Sequence, residues 1–228
     1  MPTVKNIIFI GLYLMLSYYS FGRGMNNQFL LNFYAQNNRD TLINPLISFS
    51  NQWGSKIYKD CNTAASENYL TADEKKVIWI LNMIRANPIL FLQTVLLNPS
   101  SKYYKPIAKW NSYDSSLLNT LSSIQPNFKF LVSDLSAYHS AQCHAISSGK
   151  TGYVGHQRIH SDCIADYNGE CCTYGYTNPL SMVMSFLLDY DVPDLAHRHI
   201  CLSNSFISAG ISIQPHKRYK INTVIDFK

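Results

Sequence analysis

The sequence predicts an α+β fold, with helices first along the chain and paired strands last. Between residues 71 and 188, apolar side chains recur at three- and four-residue intervals, which is typical of helices with one buried face. Residues 206–214 and 219–227 are rich in β-branched and aromatic side chains and flank a polar link, which is typical of a hairpin. We therefore expect antiparallel strands covered by helices.

Length and composition indicate one globular domain. The 228 residues can form a single sizeable core, and 46% of them are apolar. The formal net charge of +5 is compatible with an anionic partner, but Lys and Arg are scattered along the chain. The one dense basic group, residues 216–220, lies at the expected hairpin turn. We find no nucleic-acid-binding motif, and a nucleic-acid partner is not expected.

Residues 1–22 are predicted to be an export signal. Lys5 precedes an apolar run, residues 7–16, that is too short to span a bilayer comfortably. Ser20 and Gly22 satisfy the small-residue rule, which places cleavage after Gly22. An uncleaved signal anchor is the alternative. After signal removal we expect a secreted or extracytoplasmic chain with no membrane span, because no later segment approaches the ~18 apolar residues required.

Export changes how the cysteines are interpreted, because an oxidising compartment favours disulfides. The set is even, lacks a Cys-x-x-Cys pair and leaves the connectivity open. We expect two or three bridges, with a free catalytic thiol as the weaker alternative. The cysteines are Cys61, Cys143, Cys163, Cys171, Cys172 and Cys201.

The folded domain is predicted to span residues 71–228. Residues 23–70 are rich in Asn and Ser and have no sustained period, so they are expected to form an irregular extension. Thr71 is followed three residues later by Glu74, which is the spacing of a capping box at a helix start. The helix that follows has one apolar face, formed by Val77, Ile78, Leu81 and Ile84.

Further helices are delimited by start and stop signals. Asn87-Pro88 ends the first helix and begins a second, and Pro126 stops a third. A fourth is expected from about Asp134 to Ser147, with Gly149 as its C-terminal stop. A fifth begins at Asn178-Pro179, where a capping residue precedes Pro at the first helical position.

Two histidines and two carboxylates are spread over residues 155–204. They are His156, Glu170, Asp189 and His197. Imidazole nitrogens and carboxylate oxygens are good ligands for Zn²⁺ and similar divalent ions. Because these residues do not form one short motif, they can make a site only on a folded scaffold.

Short pieces between residues 73 and 227 resemble the CAP superfamily, named for cysteine-rich secretory proteins, insect venom antigens and plant pathogenesis-related proteins. The likeness is greatest to bacterial-type secreted members and depends on the order and spacing of the pieces. They are residues 81–88, 137–140, 155–156, 169–170, 187–193 and 196–198, Phe206 with Gly210, and residues 224–227.

The resemblance implies a three-layer α-β-α sandwich with a central, largely antiparallel sheet. It also implies a cleft lined by two histidines and two acidic residues. His156 resembles the first histidine, Glu170 the Glu of a Gly-Glu-Asn motif, and His197 the second histidine. Asp189 takes the place of the second Glu. Zn²⁺ or another divalent cation is the cofactor that this tetrad would take, bound directly or through water.

The sequence departs from the family pattern at the same site. Cys171 replaces the Asn that usually follows the Glu, and Ile200-Cys201 replaces an Asn-Ile pair. Asp189 is one methylene shorter than Glu. The two replaced positions are expected to lie near one another, so we expect a Cys171–Cys201 bridge beside the cleft.

Other polar residues are expected to be structural. Arg198 would tie the loop after His197 to a carboxylate or to backbone carbonyls through its planar guanidinium. His139 is expected to pack on its helix, with a position behind the site as the alternative, and His144, His160, His199 and His216 have no matched role. Tyr174, Tyr176 and Tyr190 are candidates for the rim of a groove.

Two functions remain open. The first is a secreted binding module whose cleft holds a divalent metal or small ligand and whose surface recognises an extracellular lipid, glycan or protein. The second is a metal-assisted, peptidase-like hydrolase with Glu170 or Asp189 as general base. The chain has neither a His-Glu-x-x-His motif nor a Gly-x-Ser-x-Gly elbow, which favours the binding module.

Overall fold

The computed structural model describes residues 42–228. The predicted export signal at residues 1–22 and the first part of the predicted extension lie outside these residues. The described part of the chain is a mixed α and β structure, with seven α-helices and one four-stranded sheet.

The helices of residues 42–228 are α1 Lys56–Asp60, α2 Ala72–Ala86, α3 Pro88–Phe91, α4 Ser112–Ser123, α5 Leu135–Thr151, α6 Pro179–Leu188 and α7 Ala196–Leu202. A π-helical turn, Leu92–Leu96, continues α3, and 3-10 turns lie at Asn51–Gly54 and Ile107–Lys109. The strands are β1 Val132–Ser133, β2 Gly169–Tyr174, β3 Ser208–His216 and β4 Lys220–Phe227.

The sheet is mixed, with the strand order β1-β3-β4-β2. β1 runs parallel to β3, whereas β3 pairs with β4 and β4 pairs with β2 in antiparallel fashion. The expected C-terminal hairpin is confirmed as β3 and β4. β2 was missed, because its side chains are buried along almost its whole length and the sequence shows no alternation of polar and apolar residues there.

Local sequence signals fix most helix starts. The Thr71 hydroxyl accepts from the Glu74 amide at 3.3 Å, and the Glu74 carboxylate accepts from the Thr71 amide at 2.7 Å, so the predicted capping box is confirmed. Asn87 and Asn178 cap their helices as predicted. The second carboxylate oxygen of Glu74 accepts from the Ile213 amide at 2.8 Å, which ties α2 to β3.

The predicted stop at Gly149 is wrong. Helix α5 continues to Thr151, and Gly152 caps it in the left-handed region at φ +81°. Gly149 is required for a different reason: a Cβ at this position would collide with the backbone carbonyl of Pro215. The glycine therefore allows α5 to lie close to β3 rather than ending the helix.

The core begins earlier than residue 71. The compact unit starts at Leu42, and Leu46, Trp53 and Cys61 are fully buried in the main core. The Asn82 side chain donates to the Cys61 carbonyl at 3.1 Å, which fastens this segment to α2. Turns and very short helices make up the segment, so its sequence has no period even though its apolar side chains are buried.

The two faces of the sheet pack against different elements. Ile211, Ile225 and Cys171 belong to the main core together with side chains of α2 and α6. Cys172 and Val224 point to the other face, because successive side chains of a strand alternate, and they pack against α5.

Within residues 42–228, no single helix is long and apolar enough to cross a membrane. Helix α2 and residues 88–96 meet the length and composition criteria only together, across a 109° bend.

Candidate functional site

The first predicted His–acid pair forms at β2, an edge strand of the sheet. His156 lies in the loop between α5 and β2, and its Nδ1 is 2.8 Å from Glu170 Oε1. Gly155 positions this histidine with φ +130°, and its amide donates to the Tyr174 hydroxyl at 3.0 Å. The Glu170 side chain is 2% exposed, whereas that of His156 is 52% exposed. The pair therefore has a buried acid and an accessible imidazole.

The second pair forms where α6 ends and α7 begins. Asp189 caps α6 in the left-handed region, at φ 56°, a conformation that Asp tolerates better than most residues. One oxygen lies 2.7 Å from His197 Nδ1, and the other accepts from the Arg198 amide at 3.2 Å. The Asp189 side chain, although shorter than that of the expected Glu, thus reaches His197 because the backbone brings the two residues close together.

The structure brings all four predicted residues together as two His–carboxylate pairs. The ring centroids of His156 and His197 lie 5.8 Å apart. Each ring meets its carboxylate through Nδ1, which leaves Nε2 for a ligand. Metal-binding histidines are commonly oriented by a carboxylate on the second ring nitrogen. The arrangement therefore suits an ion or polar group held by the histidines, with Glu170 and Asp189 orienting the rings.

Three further residues form a polar cluster with Glu170, and sequence reasoning missed their role. The Arg158 guanidinium lies 2.5 Å from Glu170 and 3.2 Å from Asp226, and Asp226 is the direct cross-strand partner of Glu170. Ser140, on α5, donates to Asp226 at 2.5 Å. The sequence signal that could have identified Asp226 is an acidic residue within the apolar run of β4. Its partner could not be known without the strand register.

The two neighbouring acids respond differently to burial. Burial acts to raise the pKa of Glu170, but the hydrogen bond from His156 and the charge of Arg158 outweigh it, and the pKa is lowered. Burial raises the pKa of Asp226 to about 8, and the charge of Glu170 acts in the same direction. At neutral pH the pair therefore holds one proton, on Asp226.

This protonation predicts a pH effect on stability. Between its ordinary pKa of 3.8 and the folded value of about 8, Asp226 keeps a proton that the unfolded chain has lost. Its contribution to stability therefore falls as pH rises through this window. Asp226→Asn stays neutral at every pH. Between pH 5 and pH 8, we therefore expect the free energy of unfolding of the wild type to fall by about 1 kcal/mol or more relative to that of Asp226→Asn.

Urea denaturation of both proteins across this pH range measures the difference. Asp162→Asn is the matched control, because Asp162 is an exposed acid in the same loop as Arg158. It should leave the pH profile unchanged. Parallel profiles for wild type and Asp226→Asn would show that Asp226 is ionised at neutral pH.

A second group of potential ligands lies on the α5 side of the sheet. Donor atoms of His144, Glu170 and Cys172 all lie within 4.8 Å of one another, so the group could hold a metal ion. Glu170 and Cys172 share a face of β2 because they are two residues apart. His144 comes from α5 and had no role in the sequence analysis.

A cavity of about 530 Å³ adjoins the second pair. Its walls are mostly apolar and aromatic, and include Trp110, Leu117, Met184 and Phe186, whereas His197, Asp189 and Cys172 supply polar groups. The three tyrosines expected at a groove, Tyr174, Tyr176 and Tyr190, line it, which confirms that prediction. The site therefore combines an apolar chamber with a polar imidazole wall.

The described cysteines form one disulfide rather than two or three. Cys143 is bonded to Cys163, which ties α5 to the loop that carries His156 and Arg158. The expected Cys171–Cys201 bridge is not formed, although the two sulfurs lie 4.0 Å apart. Burial raises the pKa of the Cys171 and Cys172 thiols well above the usual value, which disfavours a thiolate nucleophile.

The remaining histidines have varied environments. His139, expected to pack on its helix, is exposed on α5 beside Tyr138. His160 and His199 are exposed, whereas His216 is buried in the hairpin and meets the Tyr153 carbonyl at 2.9 Å. None of these four lies in the His–acid cleft or the His144 group.

Comparison of the chain with protein-family models, with curated proteins and with solved structures gives no match.

Proposed function

We propose that this chain is a secreted CAP-like domain that acts as an extracellular binding module. Its His–acid cleft would hold a divalent ion or the polar group of a small ligand. One observation carries the proposal: the imidazoles of His156 and His197 lie 5.8 Å apart, and each is oriented by a buried carboxylate through Nδ1. In each ring Nε2 takes no part in the contact with the carboxylate, so it can serve as the donor to a ligand.

The proposed family implies a three-layer α-β-α sandwich with a largely antiparallel sheet. Two observations support this finer description. Helix α5 packs on the face of the sheet that carries Cys172 and Val224, while α2 and α6 share a core with the opposite face. Two of the three strand pairings are antiparallel.

Secretion is part of the same proposal. The Cys143–Cys163 disulfide supports it, because such bonds persist in oxidising compartments. The predicted signal at residues 1–22 provides the route.

The neighbouring cavity favours a ligand with an apolar body. Pockets that enclose small molecules are commonly lined by apolar and aromatic side chains with a few polar groups that fix orientation. Here the apolar walls formed by α4 and α6 lead to His197 and Asp189. Among the expected extracellular partners, a lipid-like molecule fits this chamber better than a glycan or a protein.

The hydrolase alternative receives less support from the geometry. A general base is most effective when its pKa lies near the working pH. Glu170 has a lowered pKa and is paired with Arg158, whereas Asp189 is engaged by both His197 and the Arg198 amide. Both acids are therefore better placed to orient imidazoles than to abstract a proton from water.

Metal analysis tests the cleft directly. We expect Zn²⁺ to raise the melting temperature of the wild-type protein, and His156→Ala and His197→Ala each to weaken Zn²⁺ binding about tenfold or more, because a ligand nitrogen is lost. Isothermal titration calorimetry, bound-metal content and thermal denaturation measure these effects.

His199→Ala is the matched control, since His199 is an exposed histidine on the same helix as His197. It should bind Zn²⁺ as the wild type does. Unchanged metal content and unchanged melting in both cleft variants would remove the main support for the proposal.

A further inference from the structure

We propose that His144, Glu170 and Cys172, joined by His156, form a second, inner metal site that has a thiolate ligand and is suited to Zn²⁺. This goes beyond the proposed function, because His197 and Asp189 take no part in it. The two sites share Glu170 and His156, but the outer site depends on His197 whereas the inner site depends on His144 and Cys172, so each can fail without the other.

The state of His144 is the first argument. This histidine is fully buried. Its Nε2 lies 2.9 Å from the Gly155 carbonyl, which can only accept, so Nε2 carries the proton. Nδ1 then presents a lone pair, yet it is buried and has no hydrogen-bond partner among the described residues. A buried nitrogen without a partner is costly, and coordination of a cation would satisfy it.

The same hydrogen bond is typical of a metal ligand. A metal-bound histidine almost always donates its second ring nitrogen to a carboxylate, a backbone carbonyl or water, which fixes the tautomer and the ring orientation. The Gly155 carbonyl supplies this contact for His144. The Arg158 guanidinium similarly supports Glu170, at 2.5 Å.

The donor set is the second argument. Donor atoms of His144, Glu170 and Cys172 lie within 4.8 Å of one another, and His156 Nδ1 lies 3.8 Å from Cys172 Sγ. Two imidazoles, a thiol and a carboxylate would form a four-coordinate site of nitrogen, sulfur and oxygen donors. This set suits Zn²⁺ and does not suit Mg²⁺ or Ca²⁺, which prefer oxygen ligands.

The chemistry of binding is simple. Zn²⁺ forms a bond to Cys172 sulfur while the thiol proton is released to solvent, and no group is oxidised or reduced. His156 Nδ1 would leave Glu170 Oε1 to complete the shell. Since His144, Glu170 and Cys172 are buried and only His156 is exposed, the site would stabilise the junction between α5 and β2 rather than act as an open catalytic centre.

Cobalt provides a probe that distinguishes the inner site from the outer cleft. Co²⁺ bound to a thiolate gives a charge-transfer band in the near ultraviolet, whereas Co²⁺ bound only by nitrogen and oxygen does not. We expect one equivalent of Co²⁺ to produce this band in the metal-free full chain, and Zn²⁺ to displace it. The band should be absent in Cys172→Ser.

Two other variants isolate His144 and the outer cleft. His144→Gln keeps a donor for the Gly155 carbonyl while removing the Nδ1 lone pair, and should weaken Co²⁺ binding about tenfold or more. His197→Ala should keep the band at full intensity, even if it loses the binding expected of the outer cleft. Cys201→Ser, which removes another buried thiol, is the matched control and should keep the band.

The wild-type titration decides the proposal even if a variant fails to fold, which circular dichroism would show. Absence of the band in the wild type would overturn it. A band that persists in Cys172→Ser would also overturn the proposal, because the thiolate ligand would then lie elsewhere. If the band persisted in Cys172→Ser and disappeared in Cys201→Ser, Cys201 would be that ligand. If His197→Ala bound Zn²⁺ as the wild type does, the proposed outer cleft would be contradicted and the inner site would be unaffected.

Discussion

Arg198→Ala is expected to lower the free energy of unfolding by about 3–5 kcal/mol, because it removes a buried cation and leaves several backbone acceptors without donors. Arg198 is fully buried. Its Nε donates to the Leu187 carbonyl at 2.5 Å, and Nη2 donates to the Leu188 carbonyl at 3.1 Å. These are among the last carbonyls of α6, which have no partner within the helix.

The same side chain reaches α4. Its Nη1 donates to the Ser116 hydroxyl at 2.8 Å, and Nη2 is 3.3 Å from the Tyr113 carbonyl. Arg198 therefore fastens α7 to the ends of two other helices. The predicted contacts of its guanidinium with backbone carbonyls are confirmed, but the segment after His197 is a helix and not the expected loop. Because His197 precedes it, loss of Arg198 should also loosen the second His–acid pair.

Urea denaturation followed by circular dichroism measures the loss. Arg198→Lys should recover only part of the stability, because an ammonium cannot reproduce the forked set of donors. Arg218→Ala, at an exposed position in the hairpin turn, is the matched control and should change the free energy of unfolding by no more than about 0.5 kcal/mol. A loss below about 1 kcal/mol for Arg198→Ala would contradict the assigned role.

Gly210→Ala is expected to cost about 3 kcal/mol, because the added methyl group has no space. Gly210 lies on β3 where α5 crosses the sheet. A Cβ there would fall on backbone atoms of Ala137 and Tyr138, and neither segment can yield without moving the helix. The strand register places Gly210 opposite Asp226, so a displaced α5 would also carry Ser140 away from that acid.

Gly54→Ala is a suitable comparison. A Cβ at residue 54 would meet only the Cδ1 atom of Ile47, at 3.2 Å, and the end of a flexible side chain can move. We expect this variant to lose less than about 1 kcal/mol in the same urea experiment. Equal losses for the two glycines would show that α5 adapts to the added methyl group.

The two proposed metal sites are linked by Glu170. In the outer cleft this carboxylate orients His156, whereas in the inner site it would contribute an oxygen ligand beside Cys172. His156 also belongs to both, since its Nδ1 lies near Glu170 Oε1 and Cys172 Sγ. Occupation of the inner site would therefore reorient the histidine that faces the outer ligand.

Features that depend on neighbouring residues could be predicted from the amino-acid sequence. The capping box at Thr71, the Asn-Pro helix start at Asn178 and the C-terminal hairpin all follow from side-chain chemistry within a few positions. The four cleft residues were also chosen from the sequence, through a resemblance in motif order. The caps and the hairpin depend on local signals, whereas the cleft residues depend on the order of motifs along the chain.

The other features could not be predicted in this way, because their contacts join residues that are far apart in the chain. The burial of residues 42–70, the Glu170–Asp226 pair and the position of His144 depend on strand register and on how α5 crosses the sheet. Cysteine pairing depends on the same distances: Cys143 reaches Cys163, while Cys171 and Cys201 lie side by side as thiols. A linear pattern contains no information about such distances until the sheet and its helices are packed.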